Sequence, residues 1–129
     1  ETEVRGRDVS VETVVDPESL SITADPELVE RVLINLVKNA LEALRGVDGA
    51  TIELSGRLDR RGRNVIRVTD NGPGIVPEAL DKIFIPFFTT KKEGSGIGLS
   101  LSREIMRQHG GTLTAYSEPG DRTVFTLRF

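Results

Sequence analysis

Along this chain the spacing of hydrophobic positions changes several times, and each change marks an element. Val9, Val11 and Val14 alternate with polar residues, as do Leu20 and Ile22, and Asp16-Pro17 lies between them. This pattern predicts two short strands joined by a turn. Asp25-Pro26 then predicts a helix start, with an N-cap followed by proline at the first helical position. From Pro26 to Arg45 the residues Val29, Leu33, Leu36, Val37, Ala40, Leu41 and Leu44 fall on one arc, and Gly46 and Gly49 stop the run. The opposite arc carries Arg31, Asn35, Lys38, Asn39 and Glu42. Thr51 to Leu58 and Val65 to Thr69 are strand-like and are joined by the polar turn Asp59-Arg60-Arg61-Gly62, a hairpin pattern.

Beyond Thr69 the pattern breaks. Asp70-Asn71-Gly72-Pro73-Gly74 combines two glycines with a proline and cannot continue a strand. A short helix is predicted over Pro77 to Ile83, leading into Phe84-Ile85-Pro86-Phe87-Phe88. Thr89 to Gly96 has no hydrophobic anchor and is expected to move. A helix from Ile97 to Gln108 ends at His109-Gly110-Gly111. Thr112 to Tyr116 and Thr123 to Phe129 form a second hairpin across Glu118-Pro119-Gly120-Asp121. The order of elements predicts the α+β class, with helices on one face of a mixed sheet.

Composition narrows the possibilities. At 129 residues the chain suits one domain, residues 1–129, with a core large enough to need no covalent staple. The absence of cysteine excludes a disulfide framework, a thiol nucleophile and a thiolate metal site. The single histidine, His109, excludes a multi-histidine metal centre within the chain. A net charge of -3 gives no electrostatic reason to expect nucleic acid as a partner. No apolar run approaches the roughly 20 residues that span a bilayer, and nothing resembles a signal peptide. A cytoplasmic domain is expected, and a first residue of Glu1 rather than Met suggests a piece of a longer protein.

Three places carry candidate chemistry. Asn35 and Asn39 stand one helical turn apart and flank Lys38, although asparagine is a poor residue for a helix interior. Their amide oxygens can complete the shell of a Mg²⁺ ion held mainly by phosphates and water. Asp70, at a strand end before Gly72 and Gly74, can accept a hydrogen bond from an exocyclic amine while the glycines let a flat ring approach the backbone. An ordinary Asp-Asn-Gly turn explains the same residues. Gly94-Ser95-Gly96-Ile97-Gly98 precedes a helix whose first N–H groups can bind phosphate. It is neither a Walker loop, which needs Gly-Lys-Ser/Thr, nor a dinucleotide fingerprint, which needs glycine at Leu99 and a strand just upstream. The downstream elements of a protein-kinase glycine loop are missing too. Lys91 and Lys92 can reach phosphate oxygens as point charges.

In combination these segments resemble the ATP-binding domain of sensor histidine kinases, from the superfamily that includes gyrase, the ninety-kilodalton heat-shock chaperone and mismatch-repair ATPases. The resemblance covers Asp25 to Phe129. Glu30 to Leu44 resembles the family's N box, Asp70 to Ile75 its G1 box, Ile83 to Lys91 its F box and Gly94 to Ser102 its G2 box. The Phe-Phe-Thr-Thr-Lys run with a short lid is closest to the nitrogen-regulator type. The resemblance implies a two-layer α/β sandwich, the Bergerat ATP-binding fold, with a mixed and mostly antiparallel sheet under three helices. It implies ATP and Mg²⁺ as cofactors, Asn39 as the metal ligand with Asn35 close to the same site, and Lys38 on phosphate. Asp70 would hold the adenine amino group, with Gly72, Gly74 and Ile75 lining the base pocket and Thr123 supporting it through its hydroxyl. Phe88, Lys91, Gly94, Gly96, Gly98 and Leu99 complete the implied nucleotide set, the glycines forming the end of the lid.

The resemblance also separates a transferase part from a hydrolase. ATPase relatives place a glutamate at the position of Asn35, where it activates water; an amide cannot take that proton. Transfer of the γ-phosphoryl group to a histidine on a separate dimerisation domain is therefore implied, with a response regulator as the later acceptor. His109 is in no acceptor context and is expected to be a helix-terminal residue, so this piece supplies no acceptor of its own. The fragment is expected to be monomeric and its parent a homodimer, membrane-anchored or not. A hydrolytic relative, a serine kinase of the anti-sigma-factor type and a binding module that no longer uses nucleotide are the alternatives.

Overall fold

The computed structural model describes residues 9–88 and 98–129. Among the described residues, five strands and three helices follow in the order β1 (Val9–Asp16), α1 (Pro26–Ala43), β2 (Ala50–Leu58), β3 (Asn64–Asp70), α2 (Pro77–Leu80), α3 (Gly98–Gln108), β4 (Thr112–Glu118) and β5 (Arg122–Arg128). The strands form one sheet in the order β1-β2-β3-β5-β4. β1 runs parallel to β2, and the other three pairings are antiparallel. A parallel neighbour needs a long crossover rather than a tight turn, and α1 supplies it. The expected two-layer sandwich, with a mixed and mostly antiparallel sheet, is the observed architecture.

The N-terminal expectation needs correction. Val9 to Asp16 is one strand of 8 residues, and Leu20 to Ile22 is not a strand. Pro17 has no N–H to continue a ladder, and its carbonyl instead accepts the Leu20 N–H at 2.9 Å, turning the chain. Leu20 then lies over β2 at Gly56, where an added Cβ would stand 3.2 Å from the Leu20 side chain. Alternation in a short valine-rich run is compatible with either outcome, and the proline decides it.

α1 begins as expected. The Asp25 carboxylate accepts the N–H groups of Glu27 at 3.0 Å and Leu28 at 3.3 Å, satisfying donors that have no partner inside the helix. α3 ends in a glycine stop: Gly111 N–H donates to the Met106 carbonyl at 2.9 Å and Gly110 N–H to that of Arg107 at 3.0 Å, with Gly110 at φ 72°. His109 joins these two helix ends. Its Nδ1 lies 2.8 Å from the Ile105 carbonyl, while Nε2 accepts the Asp25 N–H at 3.1 Å, which assigns the proton to Nδ1 of a neutral imidazole. The expected helix-terminal histidine is therefore a clasp between the end of α3 and the start of α1.

Both long helices lie on one face of the sheet. Val32, Leu36, Ala40 and Leu44 of α1 are buried against Ile52, Val68, Phe125 and Leu127 of the strands, with Met106 of α3 and Leu113 of β4. Val32 belongs to the buried stripe, and Asn35 and Asn39, placed by the sequence pattern on the opposite arc, are half-buried at its border. Leu36 is fully enclosed, so Leu36→Ala is expected to lower unfolding free energy by about 2–5 kcal/mol. Urea denaturation should show a lower midpoint with little change in slope.

Candidate nucleotide site

The register of the sheet makes the site. On the face under the helices, successive cross-strand rows read Gly56–Ile66–Leu127–Leu113 and then Leu54–Val68–Phe125–Ala115. Both rows are apolar. The next row reads Ile52–Asp70–Thr123–Ser117. Three adjacent strands thus place a carboxylate and two hydroxyls side by side at one end of an otherwise apolar face. Asp70 and Thr123 are each only 4% exposed. Buried polar groups are costly unless partnered, so this row needs hydrogen-bond partners that the apolar rows do not.

Asp70 Oδ1 accepts the Gly72 N–H at 2.9 Å. Burial pushes the Asp70 carboxyl above the usual carboxylate range, and the Gly72 N–H partly offsets it. The chain beyond Asp70 is fastened on two sides. Asn71 Oδ1 accepts the Thr51 N–H at 2.7 Å, its Nδ2 donates to the Gly49 carbonyl at 2.9 Å, and its own N–H donates to the Thr51 carbonyl at 3.3 Å. On the other side, Gly120 N–H donates to the Pro73 carbonyl and Ile75 N–H to Ser117 Oγ, both at 2.6 Å. The glycines are there for space. A Cβ on Gly72 would stand 3.0 Å from Asp70 Oδ1 and 3.2 Å from the Ala43 carbonyl. On Gly74, which sits at φ 77°, it would stand 2.7 Å from the Glu118 carbonyl. At both glycines the protein's own atoms stand where a Cβ would go, so the loop packs closely against Asp70, the end of α1 and the β4–β5 hairpin.

α1 and α3 bring the remaining residues. Asn35 Nδ2 donates to Ser102 Oγ at 3.1 Å, and the Asn35 amide lies against Gly98 so closely that α3 could carry no side chain there. Asn39 is half-buried one turn further along α1, and Lys38 is exposed beside it. Leu99 packs against the core, as does Ile75. Phe88 is half-buried, and Arg103 of α3 lies over the Phe84 ring at 4.8 Å from its centroid. Lys91, Gly94 and Gly96, and with them the expected moving segment Thr89 to Gly96, lie outside the described residues. A depression of about 270 Å³ lined by Val9, Leu44 and the 46–50 connection belongs to a different part of the surface.

Sequence reasoning missed Asn71, Ser102 and Ser117. Ser117 had a legible signal: Leu113, Ala115 and Ser117 share the inward face of β4, so a polar residue there asks for a partner.

Residues 24–129 match the family described as histidine kinase-, DNA gyrase B-, and HSP90-like ATPase. The chain belongs to this family. Within it the similarity is to sensor kinases. The sensor histidine kinase ZraS of Salmonella typhimurium is 38% identical over 125 residues, covering 97% of this chain and 26% of that protein. The sensory histidine kinase/phosphatase NtrB of the same species is 40% identical over 114 residues, covering 81% of this chain and 32% of that protein. This chain therefore spans about a quarter to a third of the length of these relatives. The catalytic domain of histidine kinase ThkA superposes with a TM-score of 0.80 at 34% identity, over 94% of this chain and 79% of that one. The sandwich is thus the histidine-kinase ATPase domain, and its similarity to NtrB agrees with the nitrogen-regulator features of its phenylalanine run.

Gly74→Ala combines a strained φ with a collision against backbone of the β4–β5 turn. It is expected to cost about 1–3 kcal/mol of stability, measured by chemical denaturation.

Proposed function

We propose that this domain binds ATP with Mg²⁺ and presents the γ-phosphoryl group to a histidine on a separate dimerisation domain, in a relay that continues to a response regulator. The observation that carries the proposal is the buried Asp70, held by the Gly72 N–H beside Thr123 at the end of an otherwise apolar sheet face. An ionised carboxylate in that position accepts a hydrogen bond from the adenine amino group and gives the carbonyl of guanine nothing to bond. Thr123, next to it in the row, offers a hydroxyl to the same end of the base.

The residues of α1 suit the phosphate end. Among the described residues no group of three His, Cys, Asp or Glu side chains is placed to hold a metal. A magnesium shell built from phosphates, water and the Asn39 amide, with Asn35 nearby, is the arrangement such a donor set allows. Bound there, Mg²⁺ would neutralise charge on the transferring group. Lys38 adds a cation on the same helix. Lys91 and the glycines Gly94, Gly96 and Gly98 are assigned to the phosphates as well. Asn35 cannot serve as a general base, and its amide is bonded to Ser102, which supports transfer over hydrolysis.

Asp70→Asn keeps an oxygen for the Gly72 N–H but turns an NH2 donor towards the amine, which needs an acceptor. Its ATP affinity is expected to fall by about 10- to 100-fold in calorimetric titration, with the fold retained. Affinity equal to wild type would remove Asp70 from the site.

A protonated Asp70 accepts more weakly and turns one oxygen into a donor, so ATP affinity is expected to fall on acidification at a higher pH than an ordinary carboxylate would give. The stability linkage has the opposite sign. A carboxyl raised by burial favours folding most below its ordinary value of 3.8, and that contribution is lost as pH rises through the raised value. Asp70→Asn should therefore match or exceed wild-type stability at neutral pH, an advantage that titration of thermal midpoints should show shrinking towards acid.

Incubation of the chain with labelled ATP should leave it unlabelled, because both nitrogens of His109 are engaged in hydrogen bonds. Acid-labile label on His109 would contradict the assignment.

A further inference from the structure

Ser117 is the member of the polar row that neither the base nor the phosphates call for, yet it has the most partners. Its hydroxyl oxygen accepts the Ile75 N–H at 2.6 Å, lies 3.1 Å from the Arg122 carbonyl, and lies 3.4 Å from Thr123 Oγ1. A serine hydroxyl has one proton and two lone pairs. The Arg122 carbonyl can only accept, so the proton goes there. The oxygen then takes the Ile75 N–H with one lone pair and the Thr123 hydroxyl proton with the other. One side chain in this way fixes the loop after Asp70, the start of β5 and the direction in which Thr123 presents its own lone pairs.

The neighbouring backbone is arranged to allow this reach. A Cβ on Gly74 would stand 2.8 Å from Ser117 Oγ, so the hydroxyl meets Ile75 only because residue 74 has no side chain. Gly120 N–H on Pro73 gives the loop a second tie to the same hairpin, but that bond leaves Ile75 and Thr123 untouched. Without the hydroxyl, a half-buried N–H at Ile75 has no partner and the Thr123 proton has no fixed direction.

We infer that Ser117 is a positioning residue for the nucleotide base, setting the loop from Gly72 to Ile75 at its distance from the Asp70–Thr123 pair and directing the Thr123 hydroxyl. The inference rests on the ATP reading of this site proposed above.

The test uses the chain as it stands, with ATP, ADP and GTP as probes. Ser117→Ala is expected to weaken ATP binding about three- to tenfold and to narrow the preference for ATP over GTP. Ser117→Thr, which keeps the hydroxyl on a strand that accepts β-branching, should restore both. A purely structural loss lowers the amount of competent protein but leaves the ATP-to-GTP ratio where it was. In the unsubstituted chain, saturation with ADP should slow hydrogen exchange at the Ile75 amide, a measurement that needs no variant to fold. The inference is overturned by an Ala variant with wild-type affinity and selectivity, by a Thr variant that falls as far as Ala, or by Ile75 exchange that ADP does not change. Failure of the unsubstituted chain to bind any of the three nucleotides would instead remove the ATP reading, and the role of Ser117 with it.

Discussion

The hydrogen bond from the Gly72 amide to the Asp70 carboxylate is the interaction on which this structure turns. It holds a charged group at the end of a sheet face whose other rows are apolar. The cost appears as a carboxyl displaced upward by burial, and a single backbone N–H does not fully compensate it. Burying such a group opposes folding, and the turn it fixes at Gly72 returns part of that cost.

The rest of the fold can be read as support for that arrangement. β1, α1 and β2 form a parallel unit on one side, and Asn71 ties the end of β3 to it through Thr51 and Gly49. The β4–β5 hairpin closes the other side through Pro73 and Ile75. His109 locks α3 to the start of α1, and Asn35 meets α3 again at Gly98 and Ser102. The helix with the amides and the loop with the carboxylate are therefore held in one frame by bonds at both ends of the helix pair.

Much of this was legible in the sequence, for identifiable reasons. Asp25-Pro26, Gly46 and His109-Gly110-Gly111 are local signals whose hydrogen bonds close within a few residues, and they bounded both long helices to within two residues. The two hairpins followed from alternation and polar turns. Parallel pairing of β1 was not legible, because it depends on a crossover of the whole of α1, and alternation carries no direction. The half-buried position of Asn35 was hidden by a helical wheel that counts asparagine as polar, because its hydrogen-bond partner Ser102 lies 67 residues away on α3. Ser117 showed as a polar residue on the inward face of β4, but its partners Ile75 and Thr123 come into view only once β4 and β5 are paired beside Asp70.

We propose the row Asp70–Thr123–Ser117 and the glycine loop beside it as the floor of the base site. The most direct measurement is a map of backbone amide shifts across the chain on addition of Mg²⁺ and ADP. With the base seated there, the largest changes are expected at Asp70 to Ile75, Ser117 and Thr123, with smaller ones along α1 at Asn35 to Asn39. Changes confined to the opposite face of the sheet, at Glu53, Arg67 and Thr126, or to the depression beside Val47, would contradict it.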